Sequence, residues 1–435
     1  MSQTLADSAA TAAAVPNTKA GPDSTSPAKP ADAKPSMRER AAALVPGIAA
    51  RAQQVDAERV IHPDSIQELV DSGLTRAMQA SAFGGEEAEP ADFVAAVIEI
   101  GKACASTAWV LCILGMHNWQ LAHFEESLQE ELFGEDPTTL ISSSYSQQGT
   151  AQRVPGGYLV NGRWRTSSGV VHSQYAIVGI DVEVDGQMRA HDFVLNLKEV
   201  EVFDDWFVIG LRGTGSRSII AKDLFVPENH AIDRDVVFAK LGPGLKRNDS
   251  ALFQIDQGVL YATVAAAPAL GTGWGFYTEF KRQISGTVRR VDQARLEEER
   301  TVLLRLADAG AALRDQESVV LGHMDKAYAR AVAGKEYDSL ELAEAIFDMS
   351  RTSRAALIGP QHLMQVLTAS VVVESNPLQR MYRDLLTARQ HGTQNVDLHG
   401  AAMMNLEMGN EAVSRFILSP ARRQAAMDRA AQLYG

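Results

Sequence analysis

Ten histidines, two cysteines and the hydroxyl and carboxylate side chains between them bound the chemistry open to this 435-residue chain. The histidines form no cluster with metal-ligand spacing and no His-Glu-x-x-His pair exists, so no metal site is expected. Cys104 and Cys112 stand eight apart in one apolar segment, outside any Cys-x-x-Cys pattern, and read as two small buried thiols in a reduced compartment. The chain has no Gly-x-x-x-x-Gly-Lys-[Ser/Thr] phosphate loop, no Gly-x-Gly-x-x-Gly between a strand and a helix, and no Gly-x-Ser-x-Gly elbow. Gly271, Gly273 and Gly275 alternate inside a helical pattern, where close helix packing explains them. Imidazole is the side chain that takes up or yields a proton near neutrality. Among the ten histidines, His117 stands near a helix end and His391 directly before Gly392-Thr393. Taken alone each reads as a packed histidine, and His391 can share a helix face with His399, eight residues on.

The elements that must hold such residues change character along the chain. Residues 1–36 are low in complexity, with five prolines and no aromatic residue. Such a segment cannot bury enough apolar surface to offset its ordering entropy and reads as a disordered tail. Over 37–138 the pattern is helical. His62-Pro63-Asp64-Ser65 before Ile66, Leu69 and Val70 marks a helix start, with Ser65 and Glu68 at capping-box spacing and Gly73 as the stop. Asp92 opens a long apolar-periodic stretch through Leu114, and a shorter helix crosses Trp119 to Phe133. Near Leu140 the period falls to two. Asn161-Gly162, between Tyr158-Leu159-Val160 and Arg163-Trp164-Arg165, predicts a hairpin turn, and Asp185-Gly186 predicts a second. Short strands over 139–240 with no helix between them point to a small antiparallel sheet or barrel. Helices return after Gly242-Pro243-Gly244, at roughly 255–284, 291–334, 339–368, 377–390 and 401–418, and read as a bundle over 241–435. The expected fold is mainly α with a central β domain.

Composition narrows the partners. With 46% hydrophobic and 22% charged residues, most of the chain can bury a core. A balance of 54 acids against 41 bases, formally −13, argues against a sequence-independent nucleic-acid binder, which needs a basic surface. No apolar run approaches the ~20 residues that span a bilayer, and the N-terminus lacks the pattern of a secretory signal. A cytoplasmic protein without membrane or nucleic-acid partners is expected.

Three stretches in order resemble the acyl-CoA dehydrogenase fold. They are the Gly84-Gly85 turn with its following helix; residues 206–216, Trp-Phe-Val-Ile-Gly-Leu-Arg-Gly-Thr-Gly-Ser, leading to Leu224-Phe225-Val226-Pro227; and Asn376-Pro377-Leu378-Gln379-Arg380-Met381-Tyr382-Arg383-Asp384. The resemblance covers about residues 45 to 430. It implies an N-terminal helical domain, a small antiparallel β-barrel and a C-terminal helical bundle. In the common dehydrogenase branch the catalytic glutamate stands directly before a Gly-Thr; here that place holds His391. A second branch puts the glutamate early in the first bundle helix, where Ile255-Asp256-Gln257-Gly258 offers only Asp256 nearby.

His391 is instead similar to the histidine of the two-component flavin-dependent monooxygenases that share this fold, the group of the p-hydroxyphenylacetate and secosteroid phenol hydroxylases. Trp109 through His117-Asn118-Trp119, Ile141-Ser142-Ser143-Ser144-Tyr145 and Trp164-Arg165-Thr166-Ser167-Ser168-Gly169 resemble the same subgroup. Asn118 departs from it, since the hydroxyphenylacetate enzymes carry a proline there. The resemblance implies an oxygenase component that receives reduced FMN or FADH2 from a separate NADH-dependent flavin reductase. With O2 it forms a C4a-hydroperoxyflavin and hydroxylates a phenolic ring. It further implies that Ser168 lies near flavin N5, that His117 and Ser143 contact the substrate hydroxyl, and that His391 lies near C4a. Trp206 and its neighbours would pack around the isoalloxazine, Arg282 would bind the cofactor phosphates partly across a subunit boundary, and the assembly would be a homotetramer. Competing readings are a dehydrogenase with a displaced base such as Asp256, oxidation of sulfur, nitrogen or indole by the same peroxyflavin, and a flavin-free scaffold. Outside the motif Ser143 and Ser168 carry no signal, Arg282 reads as solvated, and Trp109, Trp119, Trp164 and Trp206 read as core. Pocket shape depends on loops such as 231–250.

Overall fold

The fold is entered through a reciprocal cap: the Ser36 hydroxyl accepts the Glu39 N–H at 3.2 Å while the Glu39 carboxylate accepts the Ser36 N–H at 2.7 Å. Helix α1 (Met37–Glu58) follows, then α2 (Pro63–Asp71), α3 (Pro90–Gly101), α4 (Ala105–Leu121) and α5 (Glu126–Phe133). This computed structural model describes residues 34–410 and 416–434, so the expected tail lies, up to residue 33, outside the described residues. The α2 cap is His62 rather than Ser65: Pro63 is pre-set for the first helical position, and the His62 ring accepts the Asp64 N–H at 3.2 Å. Ser65 is buried and accepts from Arg51 Nε at 2.8 Å. The long periodic stretch from Asp92 is broken between α3 and α4.

Eight strands form one sheet: β1 (Ile141–Ser144), β2 (Gly149–Val154), β3 (Gly157–Ser167), β4 (Tyr175–Val184), β5 (Gln187–Asn196), β6 (Glu201–Phe203), β7 (Arg217–Pro227) and β8 (Ala231–Asp233). Their order is β6-β7-β3-β2-β4-β5-β8, with β1 paired to β4. The sheet is neither wholly antiparallel nor closed into a barrel. β1 and one bridge of β2 run parallel to β4, and the end strands β6 and β8 have three residues each, too few to zip the edges together. Asp185-Gly186 makes the expected two-residue hairpin, with φ of +52° and +75°. Asn161-Gly162 does not turn. Both residues lie inside β3, where a register shift absorbs them and Asn161 exchanges two hydrogen bonds with Asp223.

The connector adds α6 (Arg234–Phe238), and the second helical block contains α7 (Gln257–Ile284), α8 (Arg300–Val332), α9 (Ser339–Ser350), α10 (Thr352–Leu363), α11 (Pro377–Ala388), α12 (Val396–Glu407) and α13 (Pro420–Tyr434). Helix α8 starts later than its periodicity suggests, because Arg289 holds Asp292 and Glu299 and folds the preceding segment back on itself. The stretch expected as one helix from 339 divides at Arg351, where Gln316 of α8 donates to the Asp348 carbonyl at 3.0 Å and to Thr352 Oγ1 at 2.9 Å. Part of the last expected helix, 411–415, lies outside the described residues. The glycines of α7 do pack closely: a Cβ on Gly271 would stand 2.3 Å from the Ile98 carbonyl oxygen, and one on Gly275 2.4 Å from that of Lys102. One apolar core joins α1, α3, α4 and α7, with a second inside the sheet. Cys104 and Cys112 are both buried and unbridged.

Candidate active site

Helix α4 is apolar on every side and buried along its whole length, so its few polar groups must find partners or a cavity. Trp109, Ile113 and His117, four residues apart, share one face and line a cavity of about 420 Å3. Gln257, Tyr261 and Val264 of α7 supply a second wall, and Ser143, Ser144, Tyr145 and Ser146 at the end of β1 a third. His117 Nδ1 lies 2.6 Å from the Ile141 carbonyl oxygen, which can only accept. The ring proton therefore sits on Nδ1, leaving Nε2 as an acceptor. Burial pushes the imidazole down to about 4, against a partial lift from that hydrogen bond, so it is neutral at pH 7.

Ser168 reaches the same cavity because β3 shifts register between Trp164 and Ser167. Thr166 takes φ +62° there, a strained value for a β-branched residue at the edge of a site. Ser168 Oγ receives the Trp109 Nε1–H at 3.2 Å and lies 2.8 Å from Ser216 Oγ; Ser216 Oγ lies 2.7 Å from Thr214 Oγ1. The Thr214 hydroxyl donates to the Leu211 carbonyl at 2.8 Å, and Trp206 Nε1–H to the same oxygen at 3.1 Å.

His391 forms the opposite wall with Gly392, Thr393 and Gln390. Its Nδ1 lies 2.9 Å from the Thr393 hydroxyl oxygen and accepts the Thr393 N–H at 3.3 Å. The ring stands edge-on to Trp109, centroids 5.3 Å apart. The 206–216 loop is fixed from outside: Leu211 N–H donates to Asp384 at 2.6 Å, and Arg383 of α11 donates to the Ile209 carbonyl at 2.5 Å and pairs with Asp56 at 2.7 Å. Desolvation pushes the buried Asp384 up to about 6, against the Leu211 N–H and the Arg380 charge.

Of the residues the sequence singled out, His117, Ser143, Ser168, Trp206 and His391 meet in this one cavity. Arg282 does not: it is exposed near the end of α7 and bonded to Glu279 at 2.6 and 2.7 Å. Asp256 is buried as the cap of α7, accepting the Gly258 N–H at 2.9 Å, and does not line the cavity. No carboxylate lines it among the described residues. Trp109, read as core from sequence, is both buried and cavity-lining. Sequence reasoning missed the polar end. There Tyr145 and Tyr261 donate to Gln120 Oε1 at 2.5 and 2.8 Å, Gln120 donates to the buried Asp192 at 2.8 Å, and Asp192 pairs with Arg234. These five residues span 141 positions and no local motif links them; Arg234 and Phe238 come from the 231–250 connector. No group of three metal-ligating side chains stands together among the described residues.

Comparison with known proteins places this geometry. Residues 34–132 match the acyl-CoA dehydrogenase N-terminal domain and 263–395 the acyl-CoA dehydrogenase C-terminal domain. The oxygenase subunit HsaA of a flavin-dependent monooxygenase from Rhodococcus jostii is 34% identical over 357 residues, 81% of this chain and 93% of that one. The oxygenase component of p-hydroxyphenylacetate 3-hydroxylase from Acinetobacter baumannii is 28% identical, covering 86% of this chain and 90% of its own length. The crystal structure of 3-HSA hydroxylase from Rhodococcus sp. RHA1 superposes with a TM-score of 0.84 at 31% identity, over 88% of this chain and 99% of that one. The chain belongs to the oxygenase subunits of flavin-dependent monooxygenases, built on the acyl-CoA dehydrogenase fold.

Proposed function

We propose that this chain is the oxygenase component of a two-component system that hydroxylates a phenolic ring with O2 and reduced FMN or FADH2 delivered by a separate NADH-dependent flavin reductase. The carrying observation is the cavity lining, which brings His117, a neutral imidazole with an accepting Nε2, together with Ser143, Ser168, Trp206 and His391. Relatives that act on phenols, the p-hydroxyphenylacetate 3-hydroxylase and an FADH2-dependent resorcinol hydroxylase of Rhizobium, support the substrate class.

The residues present fit a flavin. Trp206 and Leu211 offer apolar surface, Gly392 a wall without a side chain, and Ser168 a hydroxyl oxygen open to the cavity. These, with Thr214, Ser216 and His391, would hold the ring system, and Arg282 of a neighbouring subunit in a homotetramer its phosphates. When bound, reduced flavin supplies the electrons with which O2 delivers one oxygen atom to an electron-rich carbon. His117 Nε2 accepts the phenol proton and raises the nucleophilicity of the ring carbon beside the hydroxyl. Ser143, whose hydroxyl has no protein partner among the described residues, orients that hydroxyl. His391 brings an imidazole to the opposite wall of the cavity, where it would assist oxygen as it is reduced. Trp109, Ile113 and Val264 keep water out. The test pairs the protein with a generic flavin reductase, NADH and a panel of phenols. Catechol-type product matching the O2 consumed is expected. Stoichiometric H2O2 with every phenol, together with bleaching of bound FAD by an acyl-CoA, would overturn the reading.

A further inference from the structure

The hydroxyls beside Ser168 form a string whose polarity the geometry determines. Three oxygen–oxygen contacts run in series, Ser168 to Ser216 at 2.8 Å, Ser216 to Thr214 at 2.7 Å, and Thr214 to the Leu211 carbonyl at 2.8 Å. Each contact at that distance needs one proton between its oxygens. The carbonyl has none to give, so Thr214 must donate to it, Ser216 must donate to Thr214, and Ser168 must donate to Ser216. At the other end Trp109 Nε1–H, which can only donate, occupies one lone pair of Ser168 at 3.2 Å. Ser168 is thereby left with a committed proton and one open lone pair, on an oxygen that lines the cavity. Leu211, the anchor, is itself held in a φ of +51° by the Asp384 carboxylate on its N–H, and the Thr214 carbonyl accepts the Gly169 N–H at 2.9 Å, so both ends of the string are tied to the backbone.

We propose that Trp109, Ser216 and Thr214 are positioning residues that make Ser168 an acceptor only, and that this sorts the flavin by oxidation state. The inference rests on the reading above that Ser168 faces flavin N5. Reduced flavin carries a hydrogen on N5 and satisfies the open lone pair. Oxidised flavin carries a lone pair on N5, and Ser168 has no proton to offer it without breaking the string. The selectivity for a ligand that must arrive reduced thus comes from a hydrogen-bond direction set two side chains away.

The experiment is equilibrium titration of wild type, Thr214→Val, Ser216→Ala and Thr214→Ser with FAD and with FMN, each oxidised and, under anaerobic conditions, reduced. Valine removes the terminal proton of the string at nearly constant volume, and alanine cuts it in the middle. Either frees Ser168 to turn its proton toward the cavity. The ratio of oxidised to reduced Kd is expected to fall about tenfold in both variants, mainly through tighter oxidised binding, and to stay at the wild-type value in Thr214→Ser. By linkage the midpoint potential of the bound flavin should fall by about 30 mV in the same two variants. An unchanged or larger ratio in Thr214→Val and Ser216→Ala, or a serine variant that behaves like valine, would overturn the string while leaving the oxygenase reading intact. Wild type that binds neither oxidation state of either flavin would overturn both.

Discussion

Replacing His117 by glutamine tests the desolvation on which its role depends. Burial holds the ring at about 4 in the folded protein against an ordinary 6.5. Between those two values the unfolded chain carries a proton that the folded chain does not, so stability rises with pH across the window. It is fully present above about pH 6.5 and is lost as the pH falls toward 4. Integrating the two titrations from pH 7.5 to 5.0 gives a loss of about 2 kcal/mol from this one residue. Glutamine keeps an N–H for the Ile141 carbonyl but has no such titration, so its loss over the same interval should be smaller by that amount. Three other histidines, His123, His172 and His191, are also depressed by desolvation, but they titrate alike in both proteins and cancel. The assay is urea denaturation of the flavin-free proteins at the two pH values, comparing differences rather than absolute stabilities. Parallel losses in wild type and His117→Gln would refute the claim that a dry, neutral imidazole stands at this position, and with it the proton-accepting role.

Ser168→Ala should divert oxygen from product to H2O2, read as product formed per O2 consumed. Asp256→Asn should leave hydroxylation near the wild-type level, because asparagine is an equally good helix cap and the side chain stands outside the cavity; a loss of turnover with an intact melting curve would revive the carboxylate-base reading. Asp192→Asn leaves the Arg234 guanidinium without its counter-charge and should cost about 3–5 kcal/mol in thermal or urea unfolding. Gly271→Ala forces a methyl against the Ile98 carbonyl and should cost about 1–3 kcal/mol, with the cavity lining at Tyr261 and Val264 displaced enough to raise KM.

Much of the site was legible because it sits in local stretches with a recognisable order of residue types: His117 before Asn118-Trp119, the serines of β1 and of the β3 bulge, and His391 in the seat of a glutamate. The helical blocks were legible from their 3.6-residue period, and the close helix approach at Gly271 and Gly275 from small residues alternating in an apolar pattern. What escaped was set by distance rather than by local type. Asn161-Gly162 has strong turn chemistry, yet a neighbouring strand captures both Asn161 hydrogen-bonding groups through Asp223 and keeps the backbone extended. The break at Arg351 is imposed by a glutamine from another helix. The sheet was expected to close, but closure depends on edge strands whose three-residue length no periodicity encodes. The Gln120–Asp192–Arg234 network joins three elements that only tertiary packing brings together.

The cavity draws its walls from α4, β1, the end of β3, the 206–216 loop, α6, α7 and the segments after α11 and α12, so positions from 109 to 416 must assemble before any pocket exists. Long-range closures of this kind come late in folding, since loop entropy is spent before the contacts reward it. Secondary structure and the buried cores can therefore recover from denaturant well ahead of turnover. In a refolding experiment regained coupling of oxygen to product is the last signal to return, a sharper gauge of native assembly than circular dichroism.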